Sequence, residues 1–389
     1  MTETPSIELP RTRDTLLLGI EQGLHTGAQV YVSLGAGSRD GESGGDSHGE
    51  GAPSRTGELL LGERAPGLPM TADTLMIWLS CTKPITAIAI AQLWERGLID
   101  LDDPIARHVP EFAAQGKDRI TLRHVLTHTG GIRMLSVGWP DASWDEIIEQ
   151  ICKARPEPRW PLGDKAGYHL ASSWFLLGEL VRRVDGRHFR HYVRQEIFEP
   201  LGMHDSWIGM ARERYPAYGD RIGRMFSTEK GKGLARGWHR EAHVVGCSPG
   251  GNGYGPIREL GRFYEMLLCR GRWNGQTIIS PQTIEAFTTP HRVGLFDQTF
   301  KHKLDWGLGF IVNSNHYGAE LPPYGYGRHA SRRTFGHSGF QSSTGFADPE
   351  HGLVVAAVVN GNPGEPRHTE RFRDLTEAIY EDLGLAETR

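Results

Sequence analysis

The sequence predicts an α+β fold: an antiparallel sheet, formed by N- and C-terminal strands and flanked by terminal helices, carries an inserted and mainly helical lobe. Apolar strand patterns occur near both chain ends, each with a helical pattern beside it, and the segment between them has mostly helical periodicity. We expect a single domain over residues 1–389. Its sheet lobe would comprise 12–83 and 300–389, and its helical lobe 84–299.

The N-terminal part is predicted to be a helix followed by a long hairpin. Apolar residues at helical spacing indicate a helix over 12–23, and two apolar runs at 29–33 and 58–61 indicate strands. Eight glycines among polar residues over 35–57 are typical of a mobile loop. We therefore expect this segment to connect the two strands.

Helical patterns dominate the middle of the chain, at 84–96, 122–127, 144–154, 172–184, 190–198 and 258–269. Near the C-terminus, the apolar run 352–359 indicates a buried strand, and 371–383 indicates an amphipathic helix that ends at Gly384. These two elements would join the N-terminal hairpin in one sheet lobe.

Composition excludes several function classes. The 43 Lys and Arg against 47 Asp and Glu give a net charge of -4, so no basic field is available to hold nucleic acid or an anionic membrane, and neither is expected as a partner. Residues 1–13 lack the apolar core of a signal peptide, and no run is long enough to span a membrane, which predicts a soluble, cytoplasmic protein. The four cysteines have no C-x-x-C spacing and indicate reduced thiols rather than a metal site.

The first motif that carries chemistry is an S-x-x-K pattern from Ser80 to Lys83. Residues i and i+3 share one face of a helix, which brings the lysine amine to the serine hydroxyl, where a desolvated neutral amine can take the proton. A second match runs from Ser227 to Lys230, but Gly231 and Gly233 follow it and oppose a helix. Only the first match is predicted to be functional.

The helix after Lys83 is apolar on all sides, which predicts that it is buried. Pro84 lacks an N–H and is tolerated only in the first helical turn, so the helix should begin near Ser80. Its N-terminal amides would then lie beside the hydroxyl, and burial would lower the pKa of Lys83. The alternative is a capping serine with a lysine that extends to solvent.

Three segments in this order resemble the serine beta-lactamase and penicillin-binding-protein superfamily: LSCTKP at 79–84, GLIDLDDPI at 97–105 and ITLRHVLTHTGGI at 120–132. The resemblance is strongest to class C beta-lactamase-like esterases, also called family VIII carboxylesterases, and to related transacylases. It spans most of the chain and implies a Ser80 nucleophile.

The resemblance also implies a Tyr-x-Asn motif whose tyrosine acts with the lysine in proton transfer. The matching segment is Tyr168-His169-Leu170, where Tyr168 fits and Leu170 replaces the asparagine. Because that asparagine would orient the amide of a beta-lactam, its loss argues against beta-lactam recognition. The alternative for Tyr168 is packing at a helix start.

A third motif, Lys-Thr-Gly on a strand at the site, is matched by His337-Ser338-Gly339, as in related esterases. These three residues are the predicted substrate-binding residues. Gly339 would let substrate approach the backbone, and the N–H groups of Phe340 and Ser80 would form the oxyanion hole. A mostly neutral His337 is a poor anchor for a carboxylate, which favours a neutral ester or amide substrate. The alternative for His337 is a cap of a strand turn.

Competing patterns are weaker. Ser248 lies in a G-x-S-x-G pattern after a possible strand at 243–245, but that elbow uses the amide of the next residue, and Pro249 has none. We expect this segment to be a glycine-rich turn at the rim of the site. His124 and His128 have zinc-helix spacing without the glutamate of H-E-x-x-H, so core or turn roles are expected. Cys81 lies away from the Lys83 face of the helix and should pack.

These observations predict a serine acyl-enzyme esterase that acts on a small carboxylic ester through Ser80, with Lys83 and Tyr168 as the base, and without metal or other cofactor. One alternative is a transacylase that passes the same acyl group to an amine or alcohol acceptor in small-molecule biosynthesis. Another is a non-catalytic binding protein of the same fold, which the presence of Ser80, Lys83 and Tyr168 together disfavours. The acceptor and the oligomeric state are left open.

Overall fold

An eight-stranded antiparallel sheet is the main feature of the computed structural model, which describes residues 6–36, 55–231, 233–320 and 322–386. From one edge to the other, its strands are Asp305–Trp306, Ile311–Val312, Phe335–Gly339, Ser343–Asp348, Leu353–Val359, Gly27–Leu34, Arg55–Ala65 and Leu68–Pro69. Strands from both chain ends meet where Leu353–Val359 pairs with Gly27–Leu34. The predicted α+β class is therefore confirmed.

The predicted N-terminal hairpin is present. Gly27–Leu34 pairs antiparallel with Arg55–Ala65, with Leu34 opposite Arg55. Most of the segment predicted to be a mobile loop, residues 37–54, lies outside the described residues.

The strand Leu353–Val359 is buried on both faces, which explains its uninterrupted apolar sequence. Successive side chains point to opposite faces of a sheet. Val354, Ala356 and Val358 accordingly join the large core cluster that extends through the helical segment, whereas Val355, Ala357 and Val359 join the cluster beneath the terminal helices.

The α-helices among the described residues are Pro10–Glu21, Lys83–Glu95, Ile105–His108, Leu122–Leu126, Trp144–Lys153, Ser172–Asp185, Phe189–Val193, Tyr215–Tyr218, Glu241–Val245, Ile257–Leu268, Pro281–Thr288 and Glu365–Asp382. Most predicted helices agree with these within a few residues. The helix predicted at 190–198 is an α-helix only as far as Val193 and continues as a π-helical turn over Arg194–Phe198. Short 3₁₀ segments occur at Ser80–Thr82, Pro110–Gly116, Arg212–Arg214, Gly219–Arg221 and Asn315–Tyr317.

A second, three-stranded sheet leads into the candidate site. Its central strand Gly253–Gly255 pairs with Met76–Leu79, which ends immediately before Ser80, and with Trp207–Ile208. The other short strands are Phe226–Ser227, Leu234–Ala235, Arg272–Trp273, Gln276–Thr277, Phe296–Asp297, His302–Lys303 and Gly361–Asn362.

Two predicted elements differ from the structure. The strand expected at 243–245 is part of the helix Glu241–Val245, where the amides of His243 and Val244 donate to the Arg240 carbonyl. Local helical hydrogen bonds satisfy this backbone in place of a partner strand. The C-terminal helix begins at Glu365 rather than 371. Its first turns are polar, so apolar periodicity did not reveal them.

Membrane spans and metal clusters are both absent from the described part of the chain. Its helices are too short or too polar to span a bilayer. In the same residues, no group of three or more His, Cys, Asp or Glu side chains is arranged to hold a metal ion.

Candidate active site

Ser80 lies at the junction of the strand Met76–Leu79 and the buried helix Lys83–Glu95, in a single 3₁₀ turn. Leu79 has a φ of 50°, a left-handed conformation that is strained for a leucine. The hydroxyl of Thr82 donates to the Leu79 carbonyl at 2.6 Å and accepts from the Gly253 amide at 2.7 Å. These contacts hold the sharp turn that presents Ser80.

Lys83 has three hydrogen-bond partners at its side-chain nitrogen. The amine lies 3.1 Å from Ser80 Oγ, 2.8 Å from the Leu170 carbonyl and 2.7 Å from the Gly250 carbonyl. Since carbonyl oxygens only accept, they fix two N–H groups. In a neutral amine, the remaining tetrahedral position is the lone pair, and it faces the serine hydroxyl.

Burial favours that neutral state. The side chain of Lys83 is fully buried, and desolvation lowers the pKa of its amine to about 7, with a small opposing effect from Cys81. The Lys83 amine also lies 5.2 Å from the centroid of the Tyr168 ring and 5.3 Å from that of Trp174. The amine can therefore exchange a proton with Ser80 near neutral pH.

Tyr168 approaches Ser80 from the other side, with its hydroxyl donating to Ser80 Oγ at 2.8 Å. Burial raises the pKa of this phenol, so it remains protonated and acts as a donor. The Tyr168 amide donates to Asp297 at 3.0 Å, and the Tyr168 carbonyl accepts from the Thr299 hydroxyl at 2.9 Å. Ser80 Oγ thus lies between an amine and a phenol.

The side chains of the predicted substrate-binding motif are buried. His337 is 1% exposed, and its Nδ1 lies 2.8 Å from the Ser338 carbonyl. Burial and the nearby Lys83 lower the pKa of His337 to about 3, so its ring is neutral. Ser338 Oγ is engaged with Thr344 at 3.0 Å and with the Tyr324 carbonyl at 3.3 Å. The side chains of this strand are therefore buried and already in contact with other groups. In the predicted substrate-binding role, only the backbone of the strand would be available to a substrate.

Gly339 packs against the segment that precedes Ser80. A Cβ atom added there would lie 2.5 Å from the Trp78 carbonyl oxygen and 3.0 Å from Leu79 Cβ, so only glycine permits this approach. Within the described part of the chain, the backbone amides of Ser80 and Phe340 have no hydrogen-bond acceptor. Two N–H donors are thus left free beside Ser80 and Gly339.

The two carbonyls that hold Lys83 were not predicted as site groups. Leu170 contributes through its main chain, which explains how a residue that replaces asparagine still supports the lysine. Gly250 belongs to the glycine-rich segment around Ser248, whose Pro249 carbonyl also accepts from Thr86 at 2.6 Å. The segment rejected as a nucleophile elbow therefore lies against Lys83.

The competing residues occupy structural positions. The Ser248 amide donates to Asn252 at 2.8 Å, and Ser248 itself is buried. His124 forms a capping box with Thr121, and His128 is buried beside Tyr168. Cys81 is buried, donates to the His337 carbonyl at 3.1 Å, and burial raises the pKa of its thiol to about 12.

The surroundings of Ser80 are apolar and aromatic. Leu170 and Phe340 are 47% and 41% exposed, high fractions for large apolar side chains. The Phe300 ring lies 4.7 Å from the Tyr168 ring and 5.7 Å from the Tyr324 ring. Three tryptophans of the middle segment donate hydrogen bonds: Trp144 to Glu179, Trp160 to the Thr129 carbonyl, and Trp207 to Tyr218.

Comparison with known proteins gives one family. The family described as Beta-lactamase matches residues 27–379. The esterase/beta-lactamase LipL of Mycobacterium tuberculosis (strain ATCC 25618 / H37Rv) is 28% identical over 322 residues, which cover 77% of this chain and 72% of that protein.

Two solved structures are similar to this protein over nearly the whole chain. A penicillin-binding protein homologue from Caulobacter crescentus has a TM-score of 0.75 and 27% identity, covering 96% of this chain and 97% of its own. A family VIII carboxylesterase has a TM-score of 0.75 and 24% identity, covering 98% and 99%. The similarity to the family VIII carboxylesterase shows a shared fold.

Proposed function

Since the chain belongs to the beta-lactamase family and is a serine hydrolase or acyltransferase of that type, we propose that it is an esterase that hydrolyses small neutral carboxylic esters through an acyl-enzyme on Ser80. The observation that carries the proposal is the position of Ser80 Oγ, 3.1 Å from the Lys83 amine and 2.8 Å from the Tyr168 hydroxyl. A serine hydroxyl becomes an effective nucleophile when an adjacent group can take its proton.

In acylation, Ser80 Oγ forms a bond to the ester carbonyl carbon while its proton passes to the neutral amine of Lys83. The carbonyl electron pair moves onto its oxygen, and the free amides of Ser80 and Phe340 donate to the resulting oxyanion. When the intermediate collapses, the bond to the alcohol oxygen breaks. Tyr168 gives that oxygen its proton and recovers one from Lys83, so the alcohol leaves neutral.

Deacylation repeats these steps with water. A water molecule occupies the place of the alcohol, and its oxygen attacks the acyl carbon while it gives one proton to the Tyr168 hydroxyl, which passes its own proton to the neutral amine of Lys83. The bond to Ser80 Oγ then breaks, Ser80 regains a proton, and the carboxylic acid is released. No cofactor is required for either half of the cycle.

Neutral substrates are favoured by the groups around Ser80. His337 is neutral and buried, Leu170 replaces the asparagine of the family pattern, and the exposed side chains beside the site are apolar. A substrate carboxylate would therefore lack the permanent cation that the Lys-Thr-Gly motif supplies. We propose the same acyl-enzyme for transfer to an amine or alcohol acceptor, as the alternative fate of the acyl group.

Turnover of p-nitrophenyl esters of increasing acyl length tests the proposal against a non-catalytic binding role. We expect saturable, repeated turnover that exceeds one product per protein molecule and favours short neutral acyl groups. A single burst of product without further turnover would assign the protein to slow acylation and binding instead. The Lys83→Ala variant is the matched control for background hydrolysis.

A further inference from the structure

We propose that His128 is a positioning residue that aims the Tyr168 hydroxyl at Ser80, an inference that rests on the proposed function. His128 is 3% exposed and has no contact with Ser80 in the structure, so it would act through the tyrosine. The spacing of His128 from His124 matches a zinc helix but lacks its glutamate. The part of the chain that His128 would hold in place is the segment 167–169.

His128 holds this segment on both sides of Tyr168. Its carbonyl accepts from the Gly167 amide at 3.0 Å, and its Nδ1 accepts from the His169 amide at 3.1 Å. One residue thereby fixes the peptide groups that precede and follow the tyrosine. Rotation of the Tyr168 backbone would break at least one of these hydrogen bonds.

The ring of His128 also restrains the tyrosine ring. The two ring centroids lie 4.9 Å apart, and Trp306 contacts both rings at 4.6 Å from His128 and 5.7 Å from Tyr168. Phe300 covers Tyr168 with a centroid distance of 4.7 Å. The phenol therefore lies among rings that are themselves fixed, which preserves the 2.8 Å contact with Ser80.

A buried ion pair connects the same two segments. Arg292 pairs with Asp297 at 3.0 Å and donates to the carbonyl of Thr127 at 3.1 Å. Asp297 in turn accepts from the Tyr168 amide at 3.0 Å. The segment containing His128 and the segment containing Tyr168 are thus joined by hydrogen bonds from two directions.

The chemistry of this position suits histidine. The backbone of His128 has a φ of 58°, where histidine, asparagine and aspartate are the favoured residues other than glycine. Because Nδ1 accepts a hydrogen bond, the neutral ring carries its proton on Nε2. Asparagine places Oδ1 the same number of bonds from the backbone and can accept the same hydrogen bond, whereas alanine has no acceptor.

Steady-state kinetics of His128→Ala and His128→Asn, in the wild-type and Tyr168→Phe backgrounds, test the proposal. Active sites are counted with a fluorophosphonate probe, so that misfolded protein does not enter kcat. His25→Ala serves as the control for loss of a buried imidazole, since His25 is 1% exposed and packs beside Arg371. Thermal unfolding is measured for every variant.

We expect His128→Ala to lower kcat per active site at least about tenfold with little change in KM, since small misplacements of a catalytic group have large effects. His128→Asn should recover most of that loss, and His25→Ala should stay within about twofold of wild type. In the Tyr168→Phe background, His128→Ala should lower kcat per active site by less than about twofold, because the hydroxyl that His128 positions is absent.

An equal loss from His128→Ala in both backgrounds, or full activity of His128→Ala per labelled site, would overturn the proposal. If Tyr168→Phe turns over too slowly for kinetics, the comparison uses the rate of fluorophosphonate labelling of the wild type, His128→Ala, Tyr168→Phe and the His128→Ala/Tyr168→Phe double variant. Failure of wild-type protein to turn over any ester would instead contradict the proposed function, and the labelling rates would still decide the role of His128.

Discussion

The amine of Lys83 lies 3.1 Å from the hydroxyl oxygen of Ser80, while two main-chain carbonyls accept its other hydrogens. Across the described residues, this buried amine forms no ion pair with a carboxylate, so no nearby anion offsets the desolvation of its charged form. Desolvation therefore favours the neutral amine, whose lone pair would point toward the serine. That relationship supports a Lys83 base and a Tyr168 donor.

The pH dependence of kcat/KM follows from this assignment. Below the Lys83 pKa of about 7, the amine holds a proton and is unable to accept one from Ser80; above it, the amine is neutral. We expect kcat/KM for an uncharged ester to rise with pH through an apparent pKa near 7 and then level off. A profile that falls over pH 6–8 in protein that stays folded by circular dichroism would contradict the assignment.

Substitutions of Lys83 and Tyr168 should be strongly non-additive. We expect Lys83→Ala and Tyr168→Phe each to lower kcat/KM by about 10²-fold or more, and the double variant to lose less than the product, because both act on one proton-transfer step. Lys117→Ala is the matched control, since Lys117 is also a buried lysine that donates to main-chain carbonyls. Lys117→Ala should lower the free energy of unfolding and leave kcat unchanged. If the losses from Lys83→Ala and Tyr168→Phe are fully additive in the double variant, the two residues do not act on one step.

Substitution of Gly339 tests whether the site requires the close approach of the strand Phe335–Gly339 to the residues that precede Ser80. A Cβ added there meets the main chain at Trp78, so Gly339→Ala must shift the turn that carries the Phe340 amide. We expect at least a tenfold lower kcat and a loss of about 1–3 kcal/mol in the free energy of unfolding. Gly233→Ala, at an exposed position where the added Cβ also meets no atom within 4 Å, should change kcat by less than about twofold. Equal effects of the two substitutions would refute the close-approach argument.

The order of elements and the contact between Ser80 and Lys83 were predictable because their signals are local. The spacing of Ser80 and Lys83, the apolar helix that follows them and the strand 352–359 can each be read from a short window. The supports of the pair are long-range contacts, such as the Gly250 carbonyl 167 positions beyond Lys83. No periodicity or spacing in a single sequence indicates such a contact.

Residues with ambiguous patterns show the same limit. His128 matched a zinc spacing, but its ring packs against Tyr168 and its Nδ1 accepts from the His169 amide. The segment around Ser248 was expected at the rim of the site, yet its sequence did not indicate that the Gly250 carbonyl accepts from Lys83. Local propensity also failed at 244–245, where two valines lie in the helix Glu241–Val245. The predicted roles of Ser80, Lys83, Tyr168, His337, Ser338, Gly339 and Phe340 stay predictions until they are tested.

Added nucleophiles distinguish hydrolysis from acyl transfer. Leu170, whose carbonyl accepts from Lys83, and Phe340, which follows Gly339, have exposed apolar side chains, and the Phe300 ring packs against Tyr168. Apolar surfaces of this kind can bind an acceptor and limit water. We expect esters to be hydrolysed, with part of the acyl group diverted to a bound amine or alcohol. Product analysis against acceptor concentration is the measurement. Saturable diversion would make transfer the main function, and unchanged products across a broad acceptor panel would leave hydrolysis alone.

The most direct test of the central claim is to map the acyl group. The protein is mixed with a panel of p-nitrophenyl esters, quenched in acid, and examined by intact-mass and peptide mass spectrometry. We expect a single acyl adduct on Ser80 that is absent from Ser80→Ala and retained by Ser248→Ala, with turnover of Ser80→Ala lower by about 10³-fold or more. An adduct on Ser248, or full turnover by Ser80→Ala, would contradict the account.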